Sequence, residues 1–174
     1  MRQRALQGVT LLLFGVPALA VIASLAAPLF NGLGLSALSD LLYMLLSYIC
    51  PQIPSHSLWL FGAPTGISSR SLFLYVGFVL AGTLMLKRDV SLRLRFSLLL
   101  LLPIVVDALS HGTAGRASDN FLRIMTGSLA GIGIAGLVVR LWRRLMTREQ
   151  RIDLRGLSIL NRAVVVVVLV AFIP

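Results

Sequence analysis

Residues 96–110 read FSLLLLLPIVVDALS, fifteen residues with one ionisable side chain, Asp107, set near the end of an apolar run. A helix at the surface of a soluble protein would return polar residues to one face about every 3.6 positions, and this stretch has no such face. A segment apolar on all sides needs apolar surroundings on all sides, which the hydrocarbon of a bilayer supplies. The carboxylate then becomes its most informative residue. Burying a charge in hydrocarbon costs at least a few kcal/mol unless it is paired, hydrated or protonated. The stretch therefore predicts a membrane span with a polar partner for Asp107 elsewhere in the fold.

Working outward, the same apolar character recurs. A first run, Ala5 to Phe30, follows the basic start Met1-Arg2-Gln3-Arg4 and contains Pro17. The basic start and Ala18-Leu19-Ala20 also resemble a signal peptide, but the run is longer than the roughly 7–15 residues of such a core and reads better as a span. After a break at Asn31 to Gly34, Leu35 to Ile49 is apolar yet only about 15 residues long, short for a span: it reads as lying along the surface or entering partway with the N-terminus inside, the alternative being a crossing that puts the N-terminus outside. Pro51, Pro54, Gly62, Pro64 and Gly66 mark an irregular connection carrying His56, Trp59 and Phe61. Helix is expected from Ser68 to Leu86, a polar turn from His111 to Asn120, a span from Phe121 to about Val139, and a last apolar run from Leu157 to Ile173. The expected fold is all-α: a polytopic transmembrane helix bundle of about five spans plus one short interfacial or partial helix, with residues 1–174 forming a single integral membrane domain.

Composition agrees with this reading. The chain is 57% hydrophobic and 13% charged, against about 25% charged in ordinary soluble domains. Its net charge of +10 is concentrated beside the apolar runs, in Lys87, Arg88, Arg93 and Arg95 and in the six arginines of Arg140 to Arg155. That placement points to topology and anionic lipid, and away from nucleic acid. Basic loops stay on the cytoplasmic side, so 87–95 and 140–155 are expected inside, in what reads as a bacterial cytoplasmic membrane. The Cys50 to Arg70 connection and the His111 to Arg123 turn then share the outer face, where they can meet.

Several side chains are candidates for chemistry. His111, one helical turn after Asp107, and Arg123, one turn inside the next span, are the expected partners of that carboxylate, either as a polar site or as a buried ion pair fixing helix register. Asn120, Arg123, Thr126 and Gly127 form a polar stripe suited to a headgroup phosphate or a carboxylate. Gly127, Gly131 and Ala135, with Gly133 and Gly136 beside them, make a ridge of small residues of the kind that lets membrane helices approach closely, and Gly77 and Ala81 offer a matching groove. Cys50 is the single cysteine. With His56 it falls short of the four ligands of a structural zinc site, and Ser68 and Ser71 at a helix start read as caps.

The order of these motifs resembles a family of small bacterial and archaeal membrane proteins catalogued as domain of unknown function 2085. The resemblance rests on Cys50-Pro51-Gln52, His56-Ser57, Ser68-Ser69-Arg70-Ser71 with Tyr75, Gly77 and Gly82, then Asp107, then Asn120, Arg123, Thr126 and Gly127, covering about residues 40–145. It implies a Cys-His element at 50–51 and a Cys-x-Arg-Cys element at 68–71, which in relatives would suit a soft metal or a redox centre. Here Pro51, Ser68 and Ser71 stand at three of those ligand positions, leaving Arg70, Asp107, Asn120 and Arg123 as a polar frame. The expectation is a noncatalytic protein without a cofactor: an accessory subunit among other integral membrane subunits of a respiratory or photosynthetic type of complex, with anionic lipid at its basic loops. The alternative is a small transporter or lipid-binding protein using Asp107, His111 and Arg123. An enzyme using Cys50 as nucleophile fits least, since no base stands beside the thiol.

Overall fold

The computed structural model describes residues 2–114 and 119–147, without the side chains of 2–10, 111–114 and 145–147. Five helices dominate: α1 (Arg2–Gly32), α2 (Ser36–Ser47), α3 (Ser69–Lys87), α4 (Leu94–Ala114) and α5 (Asn120–Thr147). Between α2 and α3 lie a single 3₁₀ turn at Pro54–His56 and a short antiparallel hairpin, β1 (Trp59–Leu60) with β2 (Ala63–Pro64). Among the described residues three helical segments are long and apolar enough to cross a membrane: Leu11–Gly32 of α1, α3, and Asn120–Arg144 of α5. α4 contains the run at 96–110. The fold is an all-α polytopic transmembrane bundle in which α2, at 12 residues, is the short helix. The apolar run Leu157 to Ile173 and the basic residues beyond Thr147 lie outside the described residues.

The helices are ordered by contact as α2, α1, α3, α5, α4, with α3 and α5 the most extensive pair. Glycine makes that pair possible. Gly127 lies against the backbone carbonyl of Arg70, Gly131 against that of Leu74 and the amide of Phe78, and Gly77 against the carbonyl of Ser128. A Cβ at any of the three would strike backbone, which cannot swing aside, so only hydrogen fits. Because 127 meets 70 and 131 meets 74, α3 and α5 run parallel. On the other side of α5, Gly133 and Gly136 receive α4, where the Ser97 carbonyl, Leu100 and Leu92 press in and the order of contacts reverses. The small-residue ridge is thus filled on both sides from within one chain.

α1 packs antiparallel on α3. The Phe14 and Phe78 rings stack with centroids 5.1 Å apart, and Gly82 sits under the Phe14 ring. Ile67, Phe78, Ala130, Ile134, Ala135 and Val139 form the best-buried part of the core along this seam. At one end of the bundle, Arg143 of α5 donates to the Met85 carbonyl at 2.9 Å and to the carbonyl of Asp89, just past α3, at 2.8 Å, tying the end of α3 to α5. Lys87, Arg88, Arg93, Arg95, Arg140 and Arg144 cluster here, and we call this the basic end.

The opposite end is a cap built by α2 and the loop after it. α2 folds back on α1, where the buried Ser39 hydroxyl donates to the Ala27 carbonyl at 2.9 Å. The hairpin turns on Phe61 and Gly62, with φ of 52° and 80°; positive φ at both central residues makes the tight two-residue hairpin turn whose twist suits the strands. Sequence pattern gives an irregular connection here, and the strands of two residues each are too short to show an alternating pattern. The loop's backbone is satisfied by side chains. Ser24 of α1 accepts from Gly66 N through its carbonyl and from Ile67 N through its hydroxyl, each at 3.2 Å. Thr65 donates to the Ile67 carbonyl at 3.0 Å and accepts from Leu58 N at 3.2 Å, while Tyr43 donates to the Pro64 carbonyl and Gln52 to the Tyr43 carbonyl. Irregular backbone at a membrane boundary has to find such internal partners.

Candidate functional site

Where the cap rests on the bundle, three ionisable side chains converge. Arg70 stands in the first turn of α3, a helix that starts where it does because Ser68 caps it: the Ser68 hydroxyl accepts from Ser71 N at 3.4 Å. Arg70 donates through Nη2 to Oδ2 of Asp107 on α4. Asp107 is 4% exposed, and so is Arg123, which α5 places within electrostatic reach of both members of the pair. Two guanidiniums therefore surround one carboxylate in a nearly sealed setting, where each charge needs the others to be tolerated.

Asp107 has a hydrogen-bonding partner, Arg70, beyond the two expected. Arg70 precedes it by 37 residues, and the pair forms because the parallel run of α3 and α5 brings the start of α3 to the level of the α4 carboxyl-terminal half. Nothing in local helical spacing points to so distant a residue. Arg123 joins the cluster as expected. His111 lies on the last part of α4, which runs to Ala114 where a turn beginning at His111 was expected, and its side chain lies outside the described residues.

The polar stripe of α5 is directed into the protein. The Asn120 amide donates to the Ser57 carbonyl of the cap at 3.4 Å, so the two connections expected to share a face do meet. Thr126 turns its hydroxyl back to the Leu122 and Arg123 carbonyls, and Gly127 is covered by Arg70. Three buried polar atoms at this end lack a hydrogen-bond partner: Arg70 Nε, Asn120 Oδ1 and Ser69 Oγ. Sequence reading passed over Ser24, Ser39, Tyr43 and Thr65, the residues that fix the cap above the cluster; isolated hydroxyls in apolar helices and loops carry no pattern to mark them.

The sequence model of the family described as "Predicted membrane protein (DUF2085)" matches residues 50–137. The chain belongs to this family. The DUF2085 match spans the loop of the cap, α3, α4 and most of α5, and so contains the whole charged cluster. The uncharacterized protein MJ1492 of Methanocaldococcus jannaschii is 28% identical over 134 residues, covering 71% of this chain and 85% of that protein. No solved structure matches the chain.

Of the DUF2085 motif positions, the retained Cys50 and the replacements Ser68 and Ser71 converge. The buried Cys50 sulfur accepts from Ser68 N at 3.5 Å, the Ser68 and Ser71 hydroxyls are 3.1 Å apart, and Pro51 adjoins Cys50 in the chain. α2 ends and α3 begins at this point. One thiol and two hydroxyls that already hydrogen-bond to each other and to backbone are a poor donor set for a soft metal. Among the described residues no three His, Cys, Asp or Glu side chains gather in a metal-binding group. The residues present do not fit a metal centre.

Proposed function

We propose that this member of DUF2085 is a noncatalytic subunit that packs among other integral membrane proteins, in a cytoplasmic membrane with its basic end inside. The observation that supports this reading is the use of the polar frame. Arg70, Asp107, Asn120, Thr126 and Gly127 each contact another element or their own helix, so the groups that a catalyst or carrier would present to a substrate are instead holding α3, α4, α5 and the cap together. Positive-inside placement of Lys87 to Arg95 and of Arg140 onward supports the orientation, with anionic lipid as the natural neighbour of those residues.

Purification of the tagged native protein in a mild detergent tests the reading. Other membrane polypeptides in fixed stoichiometry are expected; a monodisperse species of this chain alone, from membranes where it is normally expressed, would refute it.

A second reading, a small carrier or lipid-binding protein, is favoured by the three buried polar atoms without partners beside the cluster. It requires Asp107→Asn to assemble normally yet lose a proton-linked flux in proteoliposomes. The subunit reading requires that substitution to change stability and assembly.

A further inference from the structure

The cap's outer surface is apolar. Tyr48, Ile53, Trp59 and Phe61 are 75%, 41%, 62% and 67% exposed, although a water-facing loop ordinarily presents polar side chains. Charge is almost absent: between Arg4 and Arg70 the only Asp, Glu, Lys or Arg is Asp40. The loop's polar groups are turned inward, to Ser24, Tyr43, Thr65 and Asn120.

Depth follows from helix lengths. α3 has 19 residues, about 28 Å at 1.5 Å per residue, close to the roughly 30 Å of a bilayer's hydrocarbon. With Lys87 at one boundary, its Ser69 end reaches the other. Ser24 of α1 bonds to Gly66 and Ile67 at that level. Eight residues further along α1, about 12 Å higher, Gly32 lies beside Phe61 of the hairpin. The cap thus occupies the layer between the end of the hydrocarbon and the end of α1. The same stretch of α1 exposes Ile22, Leu25 and Leu29, and Leu33 just past it, so apolar side chains are exposed on both the helix and the cap. Trp and Tyr favour that layer, with an apolar body for the acyl chains and a polar tip for the headgroups.

We propose that α2 and the hairpin form an interfacial anchor, with Tyr48, Trp59 and Phe61 seated at the boundary of acyl chains and headgroups on the side opposite the basic end. The anchor adjoins the Arg70, Asp107 and Arg123 cluster through Asn120 and Ser68, which bond to Ser57 and Cys50 of the cap. This inference stands apart from the subunit reading, since it concerns lipid contact alone.

The two tryptophans, Trp59 in the cap and Trp142 near the basic end, make the test direct. The full-length Trp142→Phe protein is reconstituted in phosphatidylcholine vesicles whose acyl chains carry bromine at shallow, middle or deep positions, and Trp59 emission is recorded. Shallow bromine is expected to quench about twofold more strongly than deep bromine, with weak quenching by aqueous iodide. Three results would overturn the proposal: strong iodide quenching without bromine quenching, which places the hairpin in water; strongest quenching by deep bromine, which places it in the core; or protection from both, which places another polypeptide over the cap. If Trp142→Phe fails to fold, the same signal is obtained as the difference between the native protein and Trp59→Phe.

Discussion

Arginine meets aspartate at both ends of α3, and the two meetings are unlike. At the cap, Arg70 binds a carboxylate that is 4% exposed; at the basic end, Arg143 lies 3.0 Å from Asp89, which is 95% exposed. The chemistry is the same and the solvent is not. Water around Asp89 screens the pair and leaves it little net effect, so what Arg143 contributes there comes from its bonds to the Met85 and Asp89 carbonyls. Around Asp107 there is little water, and each charge depends on the others. The buried pair also links α3 to α4, helices that meet chiefly through α5. Burial and connectivity, more than the ion pair itself, decide which end specifies the fold.

Five substitutions put numbers on that contrast. The largest effect is expected from Asp107→Ala, which leaves the buried Arg123 and the partly buried Arg70 without their carboxylate and should cost about 3–5 kcal/mol, read as a lowered unfolding midpoint in detergent. Next, Gly131→Val drives a branched side chain into the Leu74 carbonyl and should cost at least about 1–3 kcal/mol, whereas Gly15→Ala, with open space around it, should be neutral or slightly stabilising. Ser24→Ala removes the acceptor for Ile67 N and should cost about 1 kcal/mol or a little more, seen as faster hydrogen exchange at Gly66 to Ser68 with the spans unaffected. The smallest is Asp89→Asn at the basic end, for which no measurable change in midpoint is expected. An Asp89→Asn effect as large as that of Asp107→Ala would dissolve the distinction between the two ends.

Much of the bundle was legible in the sequence because membrane spans announce themselves by long apolar runs, and the 96–110 run marked a helix, α4, and its buried carboxylate. The glycines at 127, 131, 133 and 136 gave away α5 as the central helix, since their spacing is a local property of one helix. α5 itself runs about two turns past the expected end at Val139, because the basic residues after it are good helix formers and hydropathy marks only where the apolar stretch stops. The bond from Arg70 to Asp107 was not legible: Arg70 sits in another helix, and only the parallel packing of α3 on α5 brings it there. The hairpin stayed hidden because Phe61 adopts a positive φ that a sequence assigns to glycine or asparagine. Of the site, Arg70, Asp107 and Arg123 lie together, with Asn120 on the cap and the His111 side chain outside the described residues, while the hydroxyls that hold the cap are single residues in apolar surroundings.

The central claim is that the Arg70 and Asp107 charges act on one another to hold the bundle. A charge swap tests it most directly: unfolding midpoints are measured for Arg70→Asp, Asp107→Arg and the double variant in the same detergent. Each single variant is expected to be severely destabilised, and the double variant to recover at least about half of the loss, because the pair is restored with its polarity reversed and the total charge beside Arg123 is unchanged. Strictly additive losses, with the double variant worse than either single one, would contradict the claim and assign the two residues separate roles.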